Sequence, residues 1–328
     1  MLGRPDQSTR VTFPRGDVEG KSRIIAARQE NEDYILVFIE ETPFHPVDHL
    51  WPDQPEDRGY FEFERGVICP VSHCYTAAYN PATQELLVDK AIVDRGIKRK
   101  EQGWIWLVAH RLDVSAHKRE LNAETLLGRT ADLKVDEPYR EAICRGHSLC
   151  HLAAFALNEF MEEHSQAKQV EENIWRRAFK KKDSLGRRQF DGATNRSSEI
   201  RMDASVDEYE INVPRTDACG KFNVNVLVKL LATLGEGIQK KLNAWLHEDG
   251  IRAVITPEVC SLHEVREWVA EKVGQTGKFK MTCGGSHALC FQLPPETRVS
   301  TKITQIKPQD GGDLRFRMEN SAPYVSRP

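Results

Sequence analysis

The sequence predicts an α+β protein, with an antiparallel β-barrel-like N-terminal domain over residues 1–138 and an α+β domain over residues 139–328. Three observations predict it. The first 140 or so residues carry short β-rich runs separated by turn residues, the pattern of a small barrel or sandwich. From His147 onward the apolar residues switch to helical spacing. Helical and strand-like pieces then alternate without the strict order of a parallel βαβ sheet.

Taken in chain order, 22–28 and 34–40 (YILVFIE) are the first strand candidates. The segment 42–59 contains Pro43, Pro46, Pro52 and Pro55, so it reads as a loop. Further strands are expected at 60–63, 67–75, 85–88 and 104–110. A helix is expected over 147–163, where Leu149, Leu152, Ala153, Ala156, Leu157 and Phe160 share a face. A second helical region spans 223–247. A third spans 261–273, with Ser261 and Glu264 as a capping box. Strands are expected at 251–256, 278–282, 298–306 and 313–318. No internal repeat is visible.

Hydrophobic residues make up 40% of the 328 residues, too many for a disordered chain. Lys plus Arg (46) nearly balance Asp plus Glu (49), which disfavours a globally basic nucleic-acid binder. A local strip remains: Arg176, Arg177, Lys180, Lys181, Lys182, Arg187 and Arg188, either a phosphate contact or a solvated face. No apolar run approaches the ~18–20 residues of a membrane span. Residues 1–28 mix acids and bases and carry no apolar stretch, unlike a signal or transit peptide, so a cytoplasmic location is expected. In a reducing compartment the eight cysteines are thiols, most of them packing groups and a few chemical.

Two short motifs carry chemistry. In His147-Ser-Leu-Cys-His151, two imidazoles four residues apart share a helix face. In Cys283-Gly-Gly-Ser-His287, two glycines permit a turn that folds a thiolate and an imidazole together. Together they form a ligand set suited to one Zn²⁺. Each pair alone suits packed or surface side chains equally well. The metalloprotease pattern HExxH is absent, since Ser148 follows His147. Cys69, His73 and Cys74 form a second cluster but lack a fourth ligand, so packing is the preferred reading.

The two motifs, in this order and at this separation, resemble the zinc-binding pair of the alanyl-tRNA synthetase editing domain. That domain occurs also in freestanding alanyl-tRNA editing proteins and in the second additional domain of threonyl-tRNA synthetase. The family pattern is roughly HTxTH and CGGTH. Further segments share the resemblance: Thr42-Pro-Phe-His-Pro46, Gln54-Pro-Glu-Asp-Arg-Gly59, Val135-Asp136 with Arg140, Gln189-Phe-Asp-Gly192, Ile200-Arg-Met-Asp-Ala-Ser205, and Gly311 to Met318. It covers roughly residues 22–320 and keeps its order throughout.

The resemblance implies a zinc-binding editing domain over 139–328 and a trans-acting, ATP-independent aminoacyl-tRNA hydrolase that serves translation fidelity. The expected substrates are Ser- or Gly-tRNA(Ala), bound by the acceptor end. His147, His151, Cys283 and His287 are the implied metal ligands. Four protein ligands describe a closed site, whereas catalytic zinc keeps an open position. His287 is therefore also the candidate for a weak ligand or a base. Gln54 and Gln189 match positions beside the pocket and are candidates for orienting substrate or water. Arg176, Arg177, Lys180, Lys181 and Lys182 are the candidate tRNA contacts. Neither a membrane nor DNA is expected as a partner.

The chain also departs from the family. Val47-Asp-His-Leu-Trp-Pro-Asp53 replaces a glycine-rich element that borders the family's pocket, Cys150 replaces a threonine, and 158–188 reads as an insertion. Two other readings therefore stand beside hydrolysis. One is transfer of the acyl group to a small molecule; the other is a non-catalytic, zinc-stabilised tRNA-binding module.

Overall fold

The computed structural model describes residues 1–49, 54–98, 101–166, 181–182, 188–189, 193–211, 234–244, 252–253, 260–261, 291–292, 299–308 and 314–321. The chain divides into two compact units: Met1–Glu141 with Ala253–Cys290, and Ala142–Arg252 with Phe291–Pro328.

The first unit is a barrel. Its elements are β1 (Arg10–Val11), β2 (Glu19–Gln29), β3 (Tyr34–Ile39), β4 (Glu41–Thr42), β5 (Gly59–Phe63), β6 (Val67–Asn80), β7 (Glu85–Val88), α1 (Lys90–Arg95), β8 (Ile105–Asp113), α2 (Ala123–Leu126) and β9 (Thr130–Val135). The sheet order is β5-β9-β2-β3-β8-β6-β7, and β5 also pairs with β6. That extra pairing closes six strands into a ring and leaves β7 as an appendage on the far half of β6. Every pairing within the ring is antiparallel.

Register explains the core. Phe61 lies opposite both Leu133 and Cys69, and His110 lies opposite both Val37 and Cys74. All six are buried, and the Phe61 ring approaches the His110 ring to 5.2 Å. Because side chains alternate along a strand, Leu36, Phe38, Ala77, Tyr79, Leu107 and Ala109 fall on the other face, where they form a second apolar cluster. Both faces of β3 and β8 are thus buried, which is why YILVFIE reads as a continuous apolar run.

The sequence expectations for 22–28, 34–40, 60–63, 67–75, 85–88 and 104–110 coincide with β2, β3, β5, β6, β7 and β8. The strand β9 is an addition: Thr130, Asp132 and Lys134 are exposed while Ala131, Leu133 and Val135 are buried. This is an alternation of period two in which half the positions are polar.

One helix, α3 (Glu137–Gln166), is the longest in the described residues at 30 residues, about 45 Å at 1.5 Å per residue. It begins ten residues before the expected start at His147. The Asp136 carboxylate accepts the Tyr139 N–H at 3.1 Å, an N-cap that Pro138 in the first turn reinforces.

The second unit contains most of α3, an α4 over 234–244, and a four-stranded antiparallel sheet. Its pieces are β10 (Lys181–Lys182), β11 (Arg188–Gln189), β12 (Ala193–Arg201) and β13 (Ala204–Ile211), then β14 (Arg252–Ala253), with β15 (Cys260–Ser261) returning to the first unit beside β1. β16 (Phe291–Gln292), β17 (Ser300–Pro308) and β18 (Leu314–Ser321) complete the chain. The sheet order is β12-β13-β18-β17. In α4, Leu234, Ile238 and Leu242 are fully buried at helical spacing. A Cβ on Gly237 would stand 2.0 Å from the Phe160 ring, so α4 meets α3 there.

The expected strands at 298–306 and 313–318 are β17 and β18. Of the expected helix 223–247, the described part is α4. Ser261, expected to cap a third helix, is extended in β15, a backbone state that an N-cap also adopts; 262–273 lies outside the described residues.

Candidate functional site

The expected site residues fall in different places. His147 sits on α3 and is 2% exposed. His151 lies one helical turn further on the same continuous helix, its ring outside the described atoms. Cys283 and His287 lie outside the described residues, as do Arg176, Arg177 and Lys180. Gln54 is 2% exposed in the loop before β5. Gln189 pairs with Lys181 across the β10–β11 ladder, whose other pair is Lys182 with Arg188. Among the described residues, no group of three or more His, Cys, Asp or Glu side chains is placed to hold a metal ion.

Two hydrogen-bonded knots organise what is described. The first lies in the barrel unit, around Arg140 of α3. Its guanidinium donates to both oxygens of Asp57, with the Nε–Oδ1 contact at 3.1 Å, and to the carbonyls of Asp17 (2.6 Å) and Pro43 (2.5 Å). Asp57 also accepts the His45 N–H at 2.5 Å. The ion pair is nearly sealed from solvent, with side chains 9% and 3% exposed. Thus three segments far apart in sequence, 42–46, 54–59 and 135–140, close on one bidentate pair.

The barrel adds a buried histidine to this region. Thr42 Oγ1 lies 2.9 Å from His110 Nε2 and accepts the Phe44 N–H at 3.1 Å. Burial lowers the His110 pKa from 6.5 to about 3, opposed only in part by the Val37 backbone. His110 is therefore a neutral imidazole at pH 7.

The segment 47–49 is packed down. Val47 N–H donates to the Cys74 carbonyl at 2.9 Å, and the Val47 carbonyl accepts Thr76 Oγ1 at 3.0 Å. Asp48 is wholly buried, and the His49 ring stacks on Trp106 at 5.4 Å.

The second knot lies in the other unit, beneath His147. Gly146 sits directly on the turn between β12 and β13: a Cβ there would stand 2.3 Å from the Arg201 carbonyl oxygen and 2.5 Å from that of Ala204. Arg145 Nε donates to Asp203 at 2.5 Å, and Asp203 N–H donates to the Ala142 carbonyl at 2.9 Å. Asp203 holds φ at 54°, a left-handed conformation that Asp tolerates in tight turns. Arg201 instead pairs on the surface with Glu199 at 2.8 Å.

Cys150 is tied down as well. Its thiol donates to Asp207 Oδ1 at 3.1 Å, and Asp207 is wholly buried. Sequence reasoning missed Asp207. The signal was present in β13, where alternation puts Ser205, Asp207 and Tyr209 on the sheet face that carries Phe316, Met318 and Asn320 of β18.

The other cluster, Cys69 and Cys74, is a packing feature. Burial pushes the Cys69 thiol up to about 11 and raises that of Cys74 too, so neither is a ready thiolate. His73 faces outward to Glu56 at 2.7 Å.

No family model matches this chain, and no curated protein matches it either.

Proposed function

We propose that the protein is a zinc-dependent, trans-acting aminoacyl-tRNA hydrolase that removes serine or glycine from mischarged tRNA(Ala). The observation that carries this reading is the convergence of its motif segments. Segments 42–46, 54–59 and 135–140 meet at the Asp57–Arg140 pair, and 200–205 meets the helix of 147–151 at Gly146 and Arg145.

The donor chemistry of His147, His151, Cys283 and His287 fits zinc, and the first two lie one turn apart on α3. Zinc, when bound, supplies Lewis-acid polarisation of the ester carbonyl and a bound water with a pKa near ~7. His287 is the proposed weak ligand or base. Gln54 and Gln189 are the proposed groups that orient substrate or water. The basic strip Arg176, Arg177, Lys180, Lys181 and Lys182 is proposed to hold tRNA phosphates. The proposed setting is cytoplasmic. No helix among the described residues is long and apolar enough to cross a membrane.

The segment 47–53 departs from the resembled pattern, and the variant it raises is transfer of the acyl group to a small-molecule acceptor rather than to water. Incubation with a panel of charged tRNAs, including Ser-, Gly- and Ala-tRNA(Ala), with and without a chelator, separates these outcomes. Chelator-sensitive release of free serine or glycine is expected. A product that forms only with an added acceptor selects the variant, and tRNA binding without any loss of charge overturns both. Cys283→Ala is expected to abolish both zinc content and deacylation; stoichiometric zinc in that variant would sink the ligand assignment.

A further inference from the structure

Where α3 leaves the barrel sheet, the first unit carries a groove of about 830 Å³. That is within the size of small-molecule sites, roughly 300–1,000 Å³. Register builds it. Tyr60 of β5 lies between Lys134 of β9 and Pro70 of β6, and the same count places Arg58 between Asp136 and Ser72. Alternate residues of a strand share a face, so these side chains stand together on the face opposite Phe61 and Leu133. The Asp136 N–H donates to the Arg58 carbonyl at 2.8 Å, which carries the pairing one residue beyond the ladder. Gly59 lets the strands close up: a Cβ there would stand 2.1 Å from the Lys134 carbonyl oxygen. Glu137 and Pro138 of the first turn of α3 complete the lining.

Most polar groups of the groove are committed. Lys134 pairs with Glu19 at 3.3 Å. The Asp136 carboxylate caps α3, and Ser72 Oγ donates to the Arg111 carbonyl at 3.0 Å. Two charges are left over. Arg58 has no carboxylate partner among the described residues, and Glu137 has no cation partner there. The Arg58 guanidinium lies over the Tyr139 ring, 4.2 Å from its centroid. A stack of this kind covers one flat face and holds the group in place, while the N–H groups at its rim remain suited to a planar anion.

Charge selects the occupant. A polyanion meets Glu19, Asp136 and Glu137 against only Arg58 and Lys134, a net repulsion. A simple cation meets the unpaired guanidinium. A zwitterion satisfies both leftover charges, with its carboxylate on Arg58 and its ammonium on Glu137. Val18, Pro70 and Pro138, with the Tyr60 ring, supply apolar lining for a side chain.

We propose that this groove binds a free α-amino acid with an apolar side chain, gripped at its two charged ends by Arg58 and Glu137. The site lies wholly within the first unit. It uses none of the proposed zinc ligands, so it stands or falls apart from the zinc reading.

The test is a saturation-transfer NMR titration of the full-length protein with L-leucine and L-phenylalanine, each beside its N-acetyl and its carboxamide form. Both free amino acids are expected to bind saturably. Blocking either end is expected to weaken binding about 10-fold or more, the scale of one hydrogen bond to a charged group. Arg58→Gln and Glu137→Gln are each expected to weaken it to a similar degree; both side chains are exposed, so the fold is expected to tolerate the changes.

Absence of saturable binding by both amino acids would overturn the inference. So would equal binding of the blocked forms, or wild-type affinity in both variants. Inorganic phosphate binding more tightly than either amino acid would also overturn it, by marking a simple anion site.

Discussion

His110 shows how a buried titratable residue links the barrel to solution conditions. Its folded pKa, about 3, lies below its ordinary value of 6.5. Between those values the unfolded chain takes up a proton that the folded protein refuses. Stability is therefore fully present above pH 6.5 and is lost as the pH falls toward 3, by up to about 1.4 kcal/mol per unit from this group. Replacing it removes that slope: His110→Gln is expected to flatten the decline of the denaturation midpoint between pH 6.5 and 4. An unchanged decline would place the acid sensitivity elsewhere. The Asp57–Arg140 pair works differently. Removing one partner leaves a buried charge uncompensated, so Arg140→Ala is expected to cost about 3–5 kcal/mol in denaturant unfolding. Asp57 and Arg140 could be picked out from their motifs. Their bond could not, because nothing local marks two residues so far apart in sequence as partners.

Helix α3 joins the two knots at the level of elements. Its interior was legible in the sequence because Leu149, Ala153, Ala156, Leu157 and Phe160 repeat at helical spacing. Its start was less so. The first two turns, from Glu137 to Cys144, carry Tyr139, Ala142 and Ile143 buried at helical spacing, but the run is short, and it is the Asp136 cap and Pro138 that mark the start. The same limit hid β12 and β13. Thr194, Asn195, Arg196, Ser197, Ser198 and Glu199 form an almost wholly polar stretch, and what holds it in a strand is pairing with β13 rather than β propensity. Gly146 tests how tightly α3 is seated. An added methyl meets two backbone carbonyl oxygens rather than a mobile side chain, so Gly146→Ala is expected to cost about 1–3 kcal/mol despite alanine's better helix propensity. A stabilised Gly146→Ala variant would show that the hairpin yields.

Seen whole, the molecule commits many of its buried polar groups to structure. The inward-facing ones, Thr42, Asp57, Arg140 and Asp207, are committed to fixing segments. The basic strip from Arg176 to Arg188 stands apart as a concentration of one sign in a nearly neutral chain. If it holds phosphates, charge reversal at Arg176, Arg177 and Lys180 is expected to weaken tRNA binding and make its salt dependence shallower, by about one unit of slope for each phosphate left without its cation. An unchanged slope would leave the strip a solvated face. The motif pair HSLCH and CGGSH was the most legible part of the proposed site, because candidate ligand types stand there at fixed four-residue spacing. Asp207 was not, because one of its strand partners, β18, comes from the far end of the chain.

The closed barrel has a consequence for how the chain comes to fold. Its ring is completed by β9, which inserts between β5 and β2 and pairs Lys134 with both Glu19 and Tyr60. Until Val135 has left the ribosome, β2 and β5 each present a bare edge, and bare edges invite pairing with other chains. Closure of such distant pairs is also intrinsically slow. A nascent chain is thus exposed to aggregation for most of the synthesis of this unit. That exposure ends only when the residues that lead directly into α3 take their place in the ring.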